Sequence, residues 1–222
     1  MKSLTKPRFE RVRAMKQRGV VLFFTLIALV AMSLAAVALI RSVDTGTLIA
    51  GNLAFKQAAT TSGDAGIEAA VNWLTATEAA ATAARMGTNS TVYNDLTHPF
   101  NVTDLAVRPG YHSSADPALD ITAVATWDDV NNVNVLVGTD GSGNTVRYII
   151  QRMCRNADAL PTTENCLFSG ALEDNNGQSI PLPQEVCQGV GCPVAGQTPQ
   201  IRITSRATGP KSTISYVQAF VY

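Results

Sequence analysis

The chain has 222 residues, which suits one domain, or one domain with a long additional element. Its net charge is zero, but residues 1–19 carry a net charge of +6 and the remaining residues carry −6. The basic arm lacks the interleaved aromatic residues of a nucleic-acid-binding segment, so we expect no binding to nucleic acid. A basic segment before an apolar run instead indicates membrane orientation, because Lys and Arg stay in the cytoplasm.

Residues 20–40 form an apolar run without a charged side chain. As a helix, these 21 residues would rise about 31 Å, enough to cross the hydrocarbon layer. A secretory signal usually has a shorter apolar core, although Ala36-Val37-Ala38 resembles a cleavage site for such a signal. A plain single-span membrane anchor is a further interpretation.

The helical pattern continues beyond the apolar run. Residues 41–86 contain no proline, are rich in alanine and place Ile67, Val71 and Leu74 at helical spacing. We therefore expect one helix over residues 20–86, membrane-spanning at first and then amphipathic. Four glycines weaken it by up to about 1 kcal/mol each, so we expect a bend or frayed turn near residues 46–52 or 60–66.

Two hairpins are predicted in the remainder, residues 87–222. Residues 133–137 and 145–153 flank a Gly-rich loop, and residues 201–206 and 213–222 flank a turn containing Gly209-Pro210. Alternation places Ile201 and Ile203 on one face, which we expect to lie on the helix. These elements predict an α+β fold, with one long N-terminal helix packed on an antiparallel sheet.

Two further segments of this region have a predicted structure. Residues 121–127, ITAVATW, are predicted to form a strand. Residues 155–199 contain five prolines and are predicted to form loops.

Four cysteines lie in the last third of the chain. Their even number, in a chain that we expect to be exported, indicates disulfides, and three connectivities are open. We favour the local pairs Cys154–Cys166 and Cys187–Cys192, because each closes a polar loop containing Pro or Gly. A zinc site is the alternative, although the spacing of the cysteines does not match common zinc motifs. The residues are Cys154, Cys166, Cys187 and Cys192.

Residues 140–144, DGSGN, resemble the start of a calcium loop, but they lack its distal glutamate. Turn chemistry explains the same residues. We expect no metal or other cofactor.

Catalytic motifs are not recognisable in the sequence, so we expect that the protein is not an enzyme. His98 and His112 stand alone in polar segments and are expected to be surface residues. Trp73 on the helix and Trp127 on a strand are expected to anchor the core.

The combination of a basic leader ending in Lys-Gln-Arg-Gly, a long apolar helix and a Cys-containing β-rich remainder resembles a type IV pilin precursor. It is similar, more narrowly, to the PilX family of minor pilins. The resemblance covers most of the chain and is weaker over residues 75–130. The matching segments are residues 17–20 (QRGV), 49–52 (IAGN), 143–154 (GNTVRYIIQRMC), 209–210 (GP) and 215–218 (SYVQ).

The resemblance implies that prepilin peptidase cuts between Gly19 and Val20 and that Val20 becomes the methylated N-terminus. Residues 1–19 would then be a prepilin leader. Major pilins carry glutamate at the fifth mature position, where this chain has Phe24. A carboxylate in the membrane needs a partner, and the first subunit of a filament has no neighbour above it. We therefore interpret Phe24 as a determinant of a position at the tip, although simple tolerance of its loss is an alternative.

The resemblance further implies a pilus assembly protein that primes type IV pili and so supports cell adhesion and twitching motility. Its expected partners are other minor pilins, a tip adhesin, the major pilin and the inner-membrane assembly platform. The helix of residues 20–40 would hold it in the inner membrane, with a cytoplasmic N-terminus and a periplasmic domain, before it reaches the pilus tip. The alternatives are a tip pseudopilin of a type II secretion system and a periplasmic domain with an ordinary signal or anchor.

Overall fold

A computed structural model of the chain describes residues 19–136 and 139–222, with only the backbone of Lys211 described. The expected leader therefore lies outside the described residues, except for Gly19. The chain divides into two compact units, which meet in sequence between Gly51 and Asn52.

Helix α1 (Val20–Ala84) has 65 residues and corresponds to the helix expected over residues 20–86. The helix continues through all four glycines, so the frayed turn expected near residues 46–52 or 60–66 does not occur. The alanines around these glycines explain this continuity, because alanine has the strongest preference for a helix.

One face of the second half of α1 is buried. Its buried residues recur at spacings of three and four, as expected for a helix that packs on a core. The face includes Leu74 and the half-buried Ile67, but Val71 is exposed and Ala70 takes its place. The buried residues are Ala59, Ser62, Gly63, Gly66, Ala70, Leu74 and Ala81.

Two glycines on this face let the helix approach the sheet closely. A methyl group at Gly63 would lie 2.6 Å from Cγ2 of Val217. A methyl group at Gly66 would overlap Oγ of Ser205 and lie 2.7 Å from Cγ1 of Val146. Such distances are too short for carbon atoms, so these glycines are required by packing.

Seven strands follow α1 in the described chain. The sheet order is β1-β3-β6-β7, β2 also pairs with β3, and β4 pairs with β5 in a separate two-stranded sheet. The strands are β1 (Tyr111–His112), β2 (Asn134–Val135), β3 (Thr145–Arg152), β4 (Phe168–Ser169), β5 (Thr198–Pro199), β6 (Ile201–Thr208) and β7 (Ile214–Val221). The short 3₁₀ helices are Pro99–Asn101 and Pro210–Ser212.

Both predicted hairpins are confirmed. Strands β2 and β3 are antiparallel, although β2 has only two residues and the expected strand residue Val137 lies outside the described ones. Strands β6 and β7 pair antiparallel over eight residues each, from Ile201 opposite Val221 to Thr208 opposite Ile214. The sheet is antiparallel except for β1, which runs parallel to β3.

The main core lies between α1 and this sheet. Ile203 is fully buried in one cluster with Ala70 and Leu74, as its predicted face required. Trp73 packs on the same cluster, and its ring stacks on Tyr111 with 5.6 Å between ring centroids. The predicted role of Trp73 as a core anchor is thus confirmed.

The strand predicted over residues 121–127 is wrong. This segment forms turns and a short helix, α2 (Val124–Asp128). The carboxylate of Asp120 accepts a hydrogen bond from the Thr122 amide at 2.8 Å, and Trp127 Nε1 donates to the Ile121 carbonyl at 2.8 Å. These local bonds close the chain into turns, while Trp127 itself is fully buried as expected.

Candidate functional site

The most conspicuous functional feature is the first part of α1. Every residue from Val20 to Ala50 is exposed, and the most apolar 18-residue window has a mean hydropathy of 2.8. Within the described residues, α1 is the one helix that is long and apolar enough to cross a membrane. An exposed apolar surface of this length needs lipid or protein to cover it.

The few polar side chains of this segment are satisfied within the helix. Thr25 Oγ1 donates a hydrogen bond to the Leu22 carbonyl at 2.9 Å, and Ser33 Oγ donates to the Val30 carbonyl at 2.8 Å. They are the only polar side chains in residues 20–40. The segment therefore presents no unsatisfied hydroxyl to an apolar surrounding.

The residues of the expected processing junction are exposed at the start of α1. Gly19 lies in a turn, and no atom lies within 4 Å of the place where a Cβ atom would be. Val20 begins the helix, and 58% of its surface is exposed. Phe24 is 64% exposed and makes an edge contact with Phe23. The first acidic residue after Val20 is Asp44. The proposed roles of Gly19, Val20 and Phe24 stay predictions.

A polar cluster joins α1 to the loop between β2 and β3. Ser62 Oγ donates to the carboxylate of Asp140, and Asn144 Nδ2 donates to Ser62 Oγ at 2.8 Å. The amides of Ser142 and Asn144 also donate to Asp140, each at 2.8 Å. The bond from Ser62 and the backbone bond from Asn144 lower the pKa of Asp140. The carboxylate oxygens of Asp140 thus accept hydrogen bonds from amides of the turn and from a side chain of α1. This supports turn chemistry over the calcium interpretation of this segment.

The last third of the chain is held by two disulfides, Cys154–Cys166 and Cys187–Cys192, which are the local pairs that we favoured. Since all four sulfurs are engaged, the zinc alternative is wrong. The stretch that leads up to β6 is acidic, because residues 156–200 hold five acidic residues and no Lys or Arg. Val190 is 91% exposed in this segment.

The two histidines are not surface residues, contrary to expectation. His98 is 2% exposed and His112 is 6% exposed. His98 Nδ1 accepts a hydrogen bond from the Phe100 amide at 3.3 Å, and its Nε2 lies 3.7 Å from a carboxylate oxygen of Glu78. Local polarity misled the prediction, because His98 packs against Phe100 and lies near Glu78 of α1. His112 lies on β1, which pairs with β3. The only local signal was the apolar neighbour of each histidine, Phe100 or Tyr111.

Acidification should destabilise the fold through His98. Burial and the nearby Arg85 cation lower the pKa of His98 to about 4, whereas an unfolded histidine titrates near about 6.5. The unfolded state then binds the proton first, so stability is lost as the pH falls from about 6.5 to about 4, by about 1–3 kcal/mol. Urea unfolding across this pH range tests the effect. The His98→Asn variant should lose much of the pH dependence, and an unchanged slope would contradict this account.

Comparisons with models of known protein families, with curated proteins and with solved structures give no significant match for this chain.

Proposed function

We propose that this protein is a minor pilin of the PilX type, which primes type IV pilus assembly and lies at or near the pilus tip. The main support for the proposal is the difference between the two parts of α1. Its first part is apolar and exposed, while its second part packs through Gly63 and Gly66 on an antiparallel sheet. A pilin needs one helix that serves as a membrane anchor and as a filament-packing element.

The proposed mechanism begins with cleavage between Gly19 and Val20 by prepilin peptidase and methylation of Val20. The helix then lies in the inner membrane with its N-terminus in the cytoplasm and its sheet domain in the periplasm. Assembly machinery extracts it, and neighbouring helices replace the lipid. The internal hydrogen bonds of Thr25 and Ser33 suit both surroundings, because neither hydroxyl needs a partner outside the helix.

The proposed position at the tip depends on Phe24. A carboxylate at this depth in the membrane would need the cationic N-terminus of an adjacent subunit to offset the free-energy cost of its transfer from water. A subunit that enters first has no such neighbour, so an apolar side chain is the less costly choice. On this proposal, the partners are other minor pilins, a tip adhesin, the major pilin and the inner-membrane assembly platform.

Deletion of the gene in the native host should abolish surface pili and twitching motility while type II secretion continues. Expression of the intact chain in the same strain should restore both. Normal piliation in the deletion strain would contradict the proposal. Loss of secretion with normal pili would favour the pseudopilin interpretation instead.

A further inference from the structure

Three arginines lie on the sheet face that points away from α1. Ser205 and Val217 point toward the helix glycines, so their neighbours in β6 and β7 point to the opposite side. Arg147 of β3 stands directly opposite Arg206 of β6, and Arg202 follows on the same face of β6. Like charges placed directly opposite each other destabilise a sheet. This arrangement therefore needs a compensating interaction.

Within the described residues, these charges are only partly compensated. Arg147 pairs with Asp128 at 3.0 Å and also donates to the Trp127 carbonyl. Arg202 donates to Gln151 Oε1 at 2.6 Å. The guanidinium of Arg206 lies 5.9 Å from the centre of the Trp127 ring. The Nε atom of each of the three arginines is buried without a hydrogen-bond partner. In addition, residues 201–222 contain three basic residues and no acidic one.

Exposed aromatic side chains border these arginines. Tyr216 of β7 stands opposite Arg206 and is 46% exposed, and Phe220 stands opposite Arg202 and is 55% exposed. Aromatic residues and arginine are both enriched at protein–protein interfaces. Arg206 itself is only 6% exposed. We call the surface formed by Arg147, Arg202, Tyr216 and Phe220, with Arg206 buried beside it, the arginine face.

We propose that the arginine face binds an extended acidic segment of a second protein. A carboxylate of this segment pairs with Arg202, in the field of Arg206 and Arg147, while apolar side chains cover Tyr216 and Phe220. Charge complementarity favours a protein segment over nucleic acid. The unit from Asn52 to Tyr222 carries a net charge of −6, which repels a long polyanion, whereas a short segment with few carboxylates meets only the basic face. The proposal does not depend on a role in a pilus.

Selection from a phage-displayed library of random octapeptides tests the proposal, with the full chain in detergent micelles as the target. We expect enrichment of segments that combine Asp or Glu with apolar residues. The most enriched peptide should bind at least about tenfold more weakly to Arg202→Gln, because a charged hydrogen bond is lost. Arg155→Gln is the matched control, since Arg155 is exposed outside the arginine face. If Arg202→Gln does not fold, Phe220→Ser replaces it, and the same loss is expected.

Four results would overturn the proposal. The first is a lack of acidic enrichment in the library. The second is equal binding when every Asp and Glu of the peptide is replaced by its amide. The third is an equal loss of binding in Arg155→Gln. The fourth is binding of a single-stranded DNA oligonucleotide that is tighter than peptide binding and is lost in Arg202→Gln, since this would make the face a nucleic-acid surface.

Discussion

Replacing Arg152 with lysine is expected to lower the free energy of unfolding by about 3 kcal/mol. Arg152 ends strand β3 and is 1% exposed. Its Nε donates a hydrogen bond to the Ser113 carbonyl at 3.0 Å, and its Nη2 donates to the Ala159 carbonyl at 2.8 Å. Its Nη1 donates to Oδ1 of Asn101. One side chain thus joins the segment after β1, a 3₁₀ turn and the first disulfide loop.

The large expected effect follows from the shape of the guanidinium group. Its donors point in fixed directions toward three acceptors, whereas the ammonium of lysine is a compact charge that cannot reach all three. The carbonyls left behind would stay buried without partners, and each such group costs about 1–3 kcal/mol.

Urea unfolding of the full chain in detergent micelles, followed by near-ultraviolet circular dichroism, measures this effect. Arg155→Lys is the matched control, because Arg155 is exposed and a surface change of this kind stays within about 0.5 kcal/mol. Equal stability of the two variants would show that the hydrogen bonds of Arg152 do not hold these loops.

The second large effect is expected at Gly66. Alanine in place of glycine favours a helix by about 1 kcal/mol, so a free helix would gain stability. At Gly66, however, the added methyl would overlap Ser205 Oγ and crowd Val146, both on strands of the sheet. Overpacking typically costs about 1–3 kcal/mol, which exceeds or matches the helix gain, so we expect a net loss of up to about 2 kcal/mol for Gly66→Ala and a larger loss for Gly66→Val.

Thermal unfolding of Gly66→Ala and Gly51→Ala separates packing from helix preference. No atom lies within 4 Å of a methyl group at Gly51, so Gly51→Ala should leave the melting temperature unchanged or higher. Adding Ser205→Ala to Gly66→Ala removes one overlapping atom and should restore part of the loss. An increase in melting temperature for Gly66→Ala alone would contradict close helix–sheet packing at this position.

Much of the architecture could be predicted because it is set by local patterns. The apolar run and the alanine-rich stretch indicated α1, and alternation around Gly-containing turns indicated the pairing of β6 with β7. The polar loop containing Pro or Gly within each local cysteine pair favoured the observed disulfides. The sequence suggested that Gly66 weakens the helix. In the structure, Gly66 is instead the position where the helix packs closely on Ser205 and Val146 of the sheet.

Other features could not be predicted because distant segments determine them. The β-branched and aromatic residues of segment 121–127 are typical of a strand, but turn bonds to Asp120 and the burial of Trp127 against Val133 and Ile149 favour a short helix. The parallel pairing of β1, which carries the buried His112, with β3 also depends on a segment far along the chain. Likewise, the burial of Arg152 could not be predicted, because the three acceptors of its hydrogen bonds lie on three other segments of the chain.

The central proposal, that this chain is processed and assembled as a pilin, is tested most directly by its N-terminus. The measurement is the intact mass of the protein from membranes of its native host, with N-terminal sequencing. We predict loss of residues 1–19 and one methyl group on Val20. A chain that starts at Leu39 would contradict the proposal and indicate a secreted periplasmic domain. An unprocessed chain in a host with active prepilin peptidase would contradict it as well and indicate a plain membrane anchor.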